Sequence, residues 1–334
     1  MAEILDDSPA NIERLAKALL ADRLVAVPTE TVYGLAGNAL SAEACAAIFE
    51  AKGRPAHDPL IVHLSDLDML GEVAVPDPLT RTLAEAFWPG PLTLILKKRP
   101  KVPSLVTSGL ETVAVRIPAH QVFQKLIAAA RIPLAAPSAN PFGYISPTTS
   151  AHVAAQLGDR IGFILEGGPC RIGIESTILD LVTGSLPRIL RPGAVSEDQI
   201  RAVLGPIQKG PFAVASPSET QGLIAPGLLD RHYSPGTPLV LRTRPFASEE
   251  LMNLPTDVAA LCIQKPGDAR PNIFWLSEDG DPREVARRLF SMLRDLDRAG
   301  FGSIEAEPMT DEADLGRAIN DRLRRAAGRG NQVR

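Results

Sequence analysis

Residues 52–64, KGRPAHDPLIVHL, carry the chain from a helix into a buried strand within a few positions. Upstream, SAEACAAIFEAK reads as a helix: Ser41 suits the N-cap, Glu43 suits the first turn, and alanines fill the body. Gly53 fits the left-handed position just past the helix end, Lys52 faces the negative end of the dipole, and Pro55 blocks continuation. Downstream, LIVHL is an apolar run of strand length. Helix termination accounts for Lys52 and Gly53. It leaves Arg54 and His63, on either side of the strand, without a local explanation.

The same alternation extends in both directions. Ser8-Pro9 opens a first helix whose apolar face is Ile12, Leu15, Leu19 and Leu20. Strands are expected at LVAV (24–27), LTLIL (92–96), TVAVRI (112–117), PLAAPSA (133–139) and IGFILEG (161–167). Helices are expected from Asp77-Pro78, over VFQKLIAAA (122–130) and after Thr148. STILDL and RILRPG then read as an antiparallel pair around Thr183-Gly184-Ser185. Helices and strands alternate early and strands cluster late, so the expectation is an α/β fold with a twisted mixed sheet flanked by helices.

At 334 residues the chain is about twice the length of a typical domain, and it divides accordingly. Residues 1–205 form the first unit. Residues 206–236 are rich in Pro, Gly and Ser with little periodicity, and read as a linker; so long a loop is rarely idle in an enzyme. Residues 237–334 form a small Rossmann-like α/β domain. Its strands are LVLRT, VAALCI and IFWLS, its first long helix opens with a capping box at Asp281-Pro282-Arg283-Glu284, and its last helix carries Leu315, Ile319 and Leu323.

The formal charge of −4 gives no general attraction to nucleic acid or acidic membranes. Cys45, Cys170 and Cys262 are too scattered for a metal site and read as reduced thiols of a cytoplasmic protein. The N-terminal stretch MAEILDDSPANIERL is acidic and lacks a signal-peptide apolar core, and there is no membrane-length apolar run, no Walker loop, no G-x-G-x-x-G and no H-E-x-x-H. Polar groups nevertheless gather at strand ends: PTETVYG at 28–34, Lys52, Arg54, His63, Arg116, Ser138 and Asn140 in APSAN, Ser146, Glu175-Ser176-Thr177, and Arg191. Each alone has a structural explanation as a cap, turn or strand-end residue. Together, four cations with hydroxyls between them suit a polyphosphate and a carboxylate bound side by side.

PTETVYGLAGNA, KGRP with DPLIVH, FWPGPLTLIL, VAVRIP, APSANPFGYISPTT, GIESTILDL and ILRPG stand in an order that resembles the YrdC-like threonylcarbamoyl-adenylate synthases over residues 10–200. HYSPGTP and the extra domain resemble that family's longer form. The resemblance implies a YrdC-like sheet and an ATP-using reaction. L-threonine, bicarbonate and ATP, with Mg²⁺, would give threonylcarbamoyl-AMP and pyrophosphate. A separate transferase complex would use the product to modify adenosine 37 of tRNAs. It further implies that Lys52 and Arg54 are catalytic and hold ATP phosphates, with Asp58, Thr112, Ser138, Asn140, Ser146 and Arg191 completing the ATP site. Thr31, His63, Arg116 and Ser176 would hold threonine, and Tyr233 would belong to a lid; no protein residue is expected to ligate metal.

Two departures are visible. The family usually has Asn-Pro-Leu where this chain has Asp58-Pro59-Leu60, and an acidic group beside a triphosphate repels it unless Mg²⁺ or Arg54 intervenes. The linker, APGLLDRHYSP, lacks the family's usual lysine, for which Arg231 is a candidate substitute. The competing reading is a double-stranded RNA or tRNA binding module without synthase activity, which the acidic balance and absent Lys/Arg tract weaken. A carbamoyl-handling maturation protein would need zinc-type cysteine spacing, which is missing.

Overall fold

The structure is a computed structural model that describes residues 1–208, 222–267 and 270–328. The chain opens with β1 (Glu3–Leu5), α1 (Pro9–Leu20), β2 (Val25–Val27), β3 (Gly34–Asn38), α2 (Ala42–Lys52) and β4 (Ile61–His63). It continues through α3 (Leu67–Val73), β5 (Ala74–Val75), α4 (Pro78–Phe87), β6 (Leu92–Lys98), β7 (Thr112–Arg116) and α5 (Gln121–Ala130). The first unit closes with β8 (Leu134–Ala135), α6 (Ser150–Leu157), β9 (Phe163–Leu165), β10 (Thr177–Asp180), β11 (Arg188–Arg191) and α7 (Glu197–Leu204). The second comprises β12 (Leu239–Leu241), α8 (Ser248–Met252), β13 (Val258–Gln264), β14 (Ile273–Ser277), α9 (Pro282–Arg298), β15 (Ser303–Ala306) and α10 (Asp314–Ala327).

The first sheet has the order β1-β9-β2-β3-β8-β4-β7-β6-β10-β11, with β5 beside β6. It is mixed, as expected: β4 runs parallel to β7, β7 antiparallel to β6, and β10 antiparallel to β11. Strand alternation sorts its side chains. Val62, Val115, Leu94 and Leu179 enter the main core, into which α1, α2 and α5 also pack. Their neighbours Ile61, Ala114, Ile95 and Ile178 face the other way and form a second cluster with Leu190.

Residues 222–236, the described part of the linker, close over that second cluster. Ala225 and Leu228 are buried in it, and Ile224 packs against it. Residues 209–221 of the expected linker lie outside the described residues.

The C-terminal sheet is wholly parallel, in the order β12-β15-β13-β14. β15 is the strand that periodicity did not reveal; only four residues long, it sits between β12 and β13. The capping expectations need two corrections. Ser8 occupies the N-cap of α1, but its side chain makes no cap hydrogen bond. Asp281 caps α9 through the Arg283 N–H, yet Glu284 does not reach back to complete a box. Ser277 Oγ and Asp279 already accept the Asp281 N–H, and Glu284 turns to Ser277 and Arg288. Ser41 and Gly53 behave as expected: Ser41 accepts from the Ala44 N–H, and Gly53 takes φ +62°.

Candidate active site

A small cavity lies where the loop after β2, the ends of β4 and β7, the loop after β8, the entry to β10 and the end of β11 converge. Thr31, Arg54, His63, Arg116, Ser138, Ser176, Arg191 and Tyr233 all line it. Register explains part of this convergence, because His63 pairs with Arg116 across β4 and β7 and both reach the same strand ends. β6 runs antiparallel to β7 and parallel to β10, so the start of β10, with Ser176 just before it, comes to that same edge.

Four more expected residues stand directly behind the lining. Lys52 donates to the carbonyls of Ser138 (2.5 Å) and Asn140 (2.6 Å). It therefore props the loop after β8 rather than capping its own helix. Asn140 donates to the Pro141 and Tyr144 carbonyls, leaving Oδ1 without a hydrogen-bond partner. Ser146 donates to Glu175 Oε1 at 2.5 Å. Asp58 pairs with Arg54 at 2.9 Å. Thr112 is the exception: it starts β7, at the opposite end from Arg116, and is outside the cavity. Arg231 is exposed beside Gly328 and does not line the cavity, so it does not take the place of the missing lysine there.

The four cations differ in their counter-charges. Arg116 has Glu30 at 2.5 Å and also donates to Thr31 Oγ1 and the Gly90 carbonyl. Arg54 has Asp58, which resolves the concern about an acid at that position: Arg54 does intervene, and it also holds the Asp58 and Pro59 carbonyls. Among the described residues, the direct partners of Lys52 and Arg191 are carbonyl and hydroxyl oxygens only. These two buried charges lack a paired anion, and burial drives the pKa of both down, for Lys52 with help from Arg54. Burial also raises Asp58 while Arg54 opposes it. For Glu30, burial is the largest influence and acts upward, but the charge and hydrogen bond of Arg116, together with two backbone hydrogen bonds, hold the carboxyl below its usual range. His63 is pushed down to about 3, mainly by burial and then by Arg116, so its imidazole is neutral at pH 7 with Nδ1 unpartnered.

The linker forms the remaining wall. Pro226, Gly227, His232 and Tyr233 line the cavity, and Arg191 donates to the Pro226 carbonyl. Tyr233 adopts φ +62°, an uncommon left-handed backbone for a bulky residue. Its buried ring packs on His232 and Phe290, and its hydroxyl has no partner. So closed, the cavity holds about 50 Å³. Small-molecule sites usually need roughly 300 Å³ or more, so ligand entry requires this wall to move.

Sequence reading placed Glu175 and the PTETVYG stretch among the strand-end polar groups but gave no site role to Thr29, Glu30, Glu175, His232 or the Pro226-Gly227 turn. Thr29 and Glu30 lie inside PTETVYG, and Glu175 inside GIEST, but a carboxylate that neutralises a distant arginine leaves no local pattern.

Comparisons with known proteins place the chain in a family. Residues 17–193 match the Sua5/YciO/YrdC family, described as "Telomere recombination", and residues 195–328 match the "Threonylcarbamoyl-AMP synthase, C-terminal domain". The chain belongs to the Sua5/YrdC family, in its two-domain form. It is 42% identical to the threonylcarbamoyl-AMP synthase of Pyrococcus abyssi, covering 92% of this chain and 91% of that one. It is 39% identical to the Bacillus subtilis threonylcarbamoyl-AMP synthase, covering 98% and 96%. The crystal structure of P. abyssi Sua5 complexed with L-threonine superposes with a TM-score of 0.90 at 39% identity, over 99% of both chains.

Proposed function

We propose that this chain is an L-threonylcarbamoyladenylate synthase, converting L-threonine, bicarbonate and ATP to L-threonylcarbamoyl-AMP, pyrophosphate and water. The observation that carries the reading is the pairing of two unlike ends in one cavity. One end has Arg116 with Thr31 and a neutral His63, matched to an amino acid. The other has Arg191 in its wall and Lys52 directly behind it, buried cations without a paired anion, matched to phosphate.

Threonine's amine and bicarbonate condense to a carbamate with loss of water. A carbamate oxygen then attacks the α-phosphorus of ATP, and pyrophosphate leaves. Both reactants are anionic, so cations that screen their repulsion and stabilise the leaving group supply most of the protein's contribution. Arg116 takes the threonine carboxylate, with Ser176 beside it. Lys52, Arg54 and Arg191 face the phosphates; Ser138, Asn140 and Ser146 orient the nucleotide. An arriving phosphate raises the depressed Lys52 pKa and holds the amine charged. Asp58 acts here as the counter-ion of Arg54 rather than as a direct nucleotide ligand; Thr112 lies outside the closed cavity. Mg²⁺ arrives as part of the substrate MgATP.

Residues 222–234 act as the lid. Ala225 and Leu228 seat it on the sheet face, Leu228 contributing about 2 kcal/mol. The adenylate passes to a transferase that modifies adenosine 37 of tRNA. The three cysteines, all free and buried, fit a reducing cytoplasm. No described helix is long and apolar enough to cross a membrane.

The test is pyrophosphate release from MgATP by the purified chain, with each substrate omitted in turn. Release that needs both L-threonine and bicarbonate, with the threonylcarbamoyl-AMP mass appearing, is expected. Release indifferent to threonine refutes the assignment.

A further inference from the structure

The C-terminal domain does more than pack against the catalytic unit. Its last helix, α10, places Arg322 fully buried against Glu175 of the cavity wall, Nε to Oε2 at 2.8 Å. The other oxygen of Glu175 accepts from Ser146 at 2.5 Å. Arg322 also donates to Asp321 at 2.7 Å, and its guanidinium lies 5.4 Å from the centre of the Tyr233 ring. One turn on, Arg325 donates to the Leu229 carbonyl at 2.7 Å, and its own carbonyl accepts the His232 N–H at 3.1 Å. One helix of the second domain therefore grips both a cavity-lining carboxylate and the strap that closes the cavity.

The charge at Glu175 makes this more than an interface contact. Glu175 lines the same cavity as Arg191. A carboxylate there repels a triphosphate and, left alone, is drawn to the unpaired Arg191 guanidinium, in competition with phosphate. Arg322 supplies the missing cation and turns Glu175 toward α10.

We propose that Arg322 and Glu175 are positioning residues of the nucleotide site, so that the C-terminal domain completes the charge balance needed to bind MgATP. Arg322 neutralises Glu175, Glu175 orients Ser146, and Arg191 is left free for phosphate. This rests on the assignment of Lys52, Arg191 and Ser146 to the nucleotide.

The experiment uses the full chain and follows MgATP affinity by calorimetry, with L-threonine affinity measured alongside. Arg322→Gln weakens MgATP binding by about 10-fold or more, because one partner of a buried pair is lost, while L-threonine binding changes less than about 3-fold. Adding Glu175→Gln to Arg322→Gln removes the stranded charge and restores MgATP affinity to within about 3-fold of wild type. A purely structural contact predicts the reverse, the double variant being no better than the single. That result, or equal loss of both ligands, overturns the proposal. If Arg322→Gln does not fold by circular dichroism, Arg322→Lys takes its place: it keeps the charge without the fork and must retain MgATP affinity, and loss there overturns the proposal equally. A wild-type chain that binds MgATP yet shows no threonine-dependent pyrophosphate release refutes the synthase assignment alone, and the rescue pattern is still read from binding. A wild-type chain without MgATP affinity overturns both.

Discussion

Arg116→Gln separates the stability of the site from its chemistry and reverses the pH dependence of folding. Arg116 and Glu30 are 3% and 2% exposed and 2.5 Å apart. Removing the guanidinium strands a buried carboxylate, at a cost of about 3–5 kcal/mol at pH 7. In the wild type, burial pushes Glu30 up, but the charge and hydrogen bond of Arg116 with two backbone hydrogen bonds hold it below its ordinary value of 4.5. The pair's stabilisation is thus complete above that value and is lost as pH falls through the depressed folded pKa. In the variant, burial, the largest single influence on Glu30, is opposed only by the backbone hydrogen bonds from Ala119 and Glu30, so the Glu30 pKa rises and the variant loses stability as pH rises above 4.5. The penalty is therefore largest at neutral pH and shrinks toward pH 4. Urea unfolding of both chains at the two pH values measures it, with Glu30→Gln/Arg116→Gln as the control that recovers most of the loss at pH 7. The same variant loses about 10- to 100-fold in L-threonine affinity, the worth of a charge-assisted carboxylate contact. A penalty under about 1 kcal/mol at pH 7, or one equal at both pH values, refutes the reasoning.

Lys52→Met removes a desolvated cation: stability should change by less than about 2 kcal/mol while pyrophosphate release falls roughly 100-fold; a variant that unfolds while folded molecules retain full turnover would make Lys52 purely structural. Asp58→Asn frees Arg54 from its counter-ion, so MgATP titration should give several-fold tighter binding, and weaker binding would show that the pair itself is needed. Gly227→Ala meets φ +75° and would bring a Cβ within 2.7 Å of the Tyr233 hydroxyl and 2.9 Å of Arg191 Nη1. It should prevent full closure of the lid, slowing pyrophosphate release more than it weakens L-threonine binding; unchanged turnover would remove residues 222–234 from the mechanism.

How much was legible in the chain differs between elements and contacts. The helix over Ala42–Lys52, its Ser41 cap and its Gly53 exit follow from local rules that act within a few residues, and so does the antiparallel β10–β11 pair. β15 did not show itself, because its burial alternates over only four residues, with Ile304 and Ala306 inward, which is too short a run for the period to stand out. Thr112 shares a motif with Arg116, but four residues of extended strand separate them by about 13 Å and put them at opposite ends of β7. Motif proximity did not translate into a shared cavity.

The sequence by itself determined which residue types gather at strand ends and the family whose order of motifs they repeat, because capping, strand alternation and helix termination are local effects. Only the tertiary structure decided which of the four cations remain without a paired anion. Glu30 with Arg116, Asp58 with Arg54 and Arg322 with Glu175 are matched by burial and by distances of 2.5–2.9 Å. Arg322 lies 147 positions from Glu175 along the chain. Coulomb interactions act through space and strengthen as water is excluded, so the charge of this site exists only once both domains have closed around it.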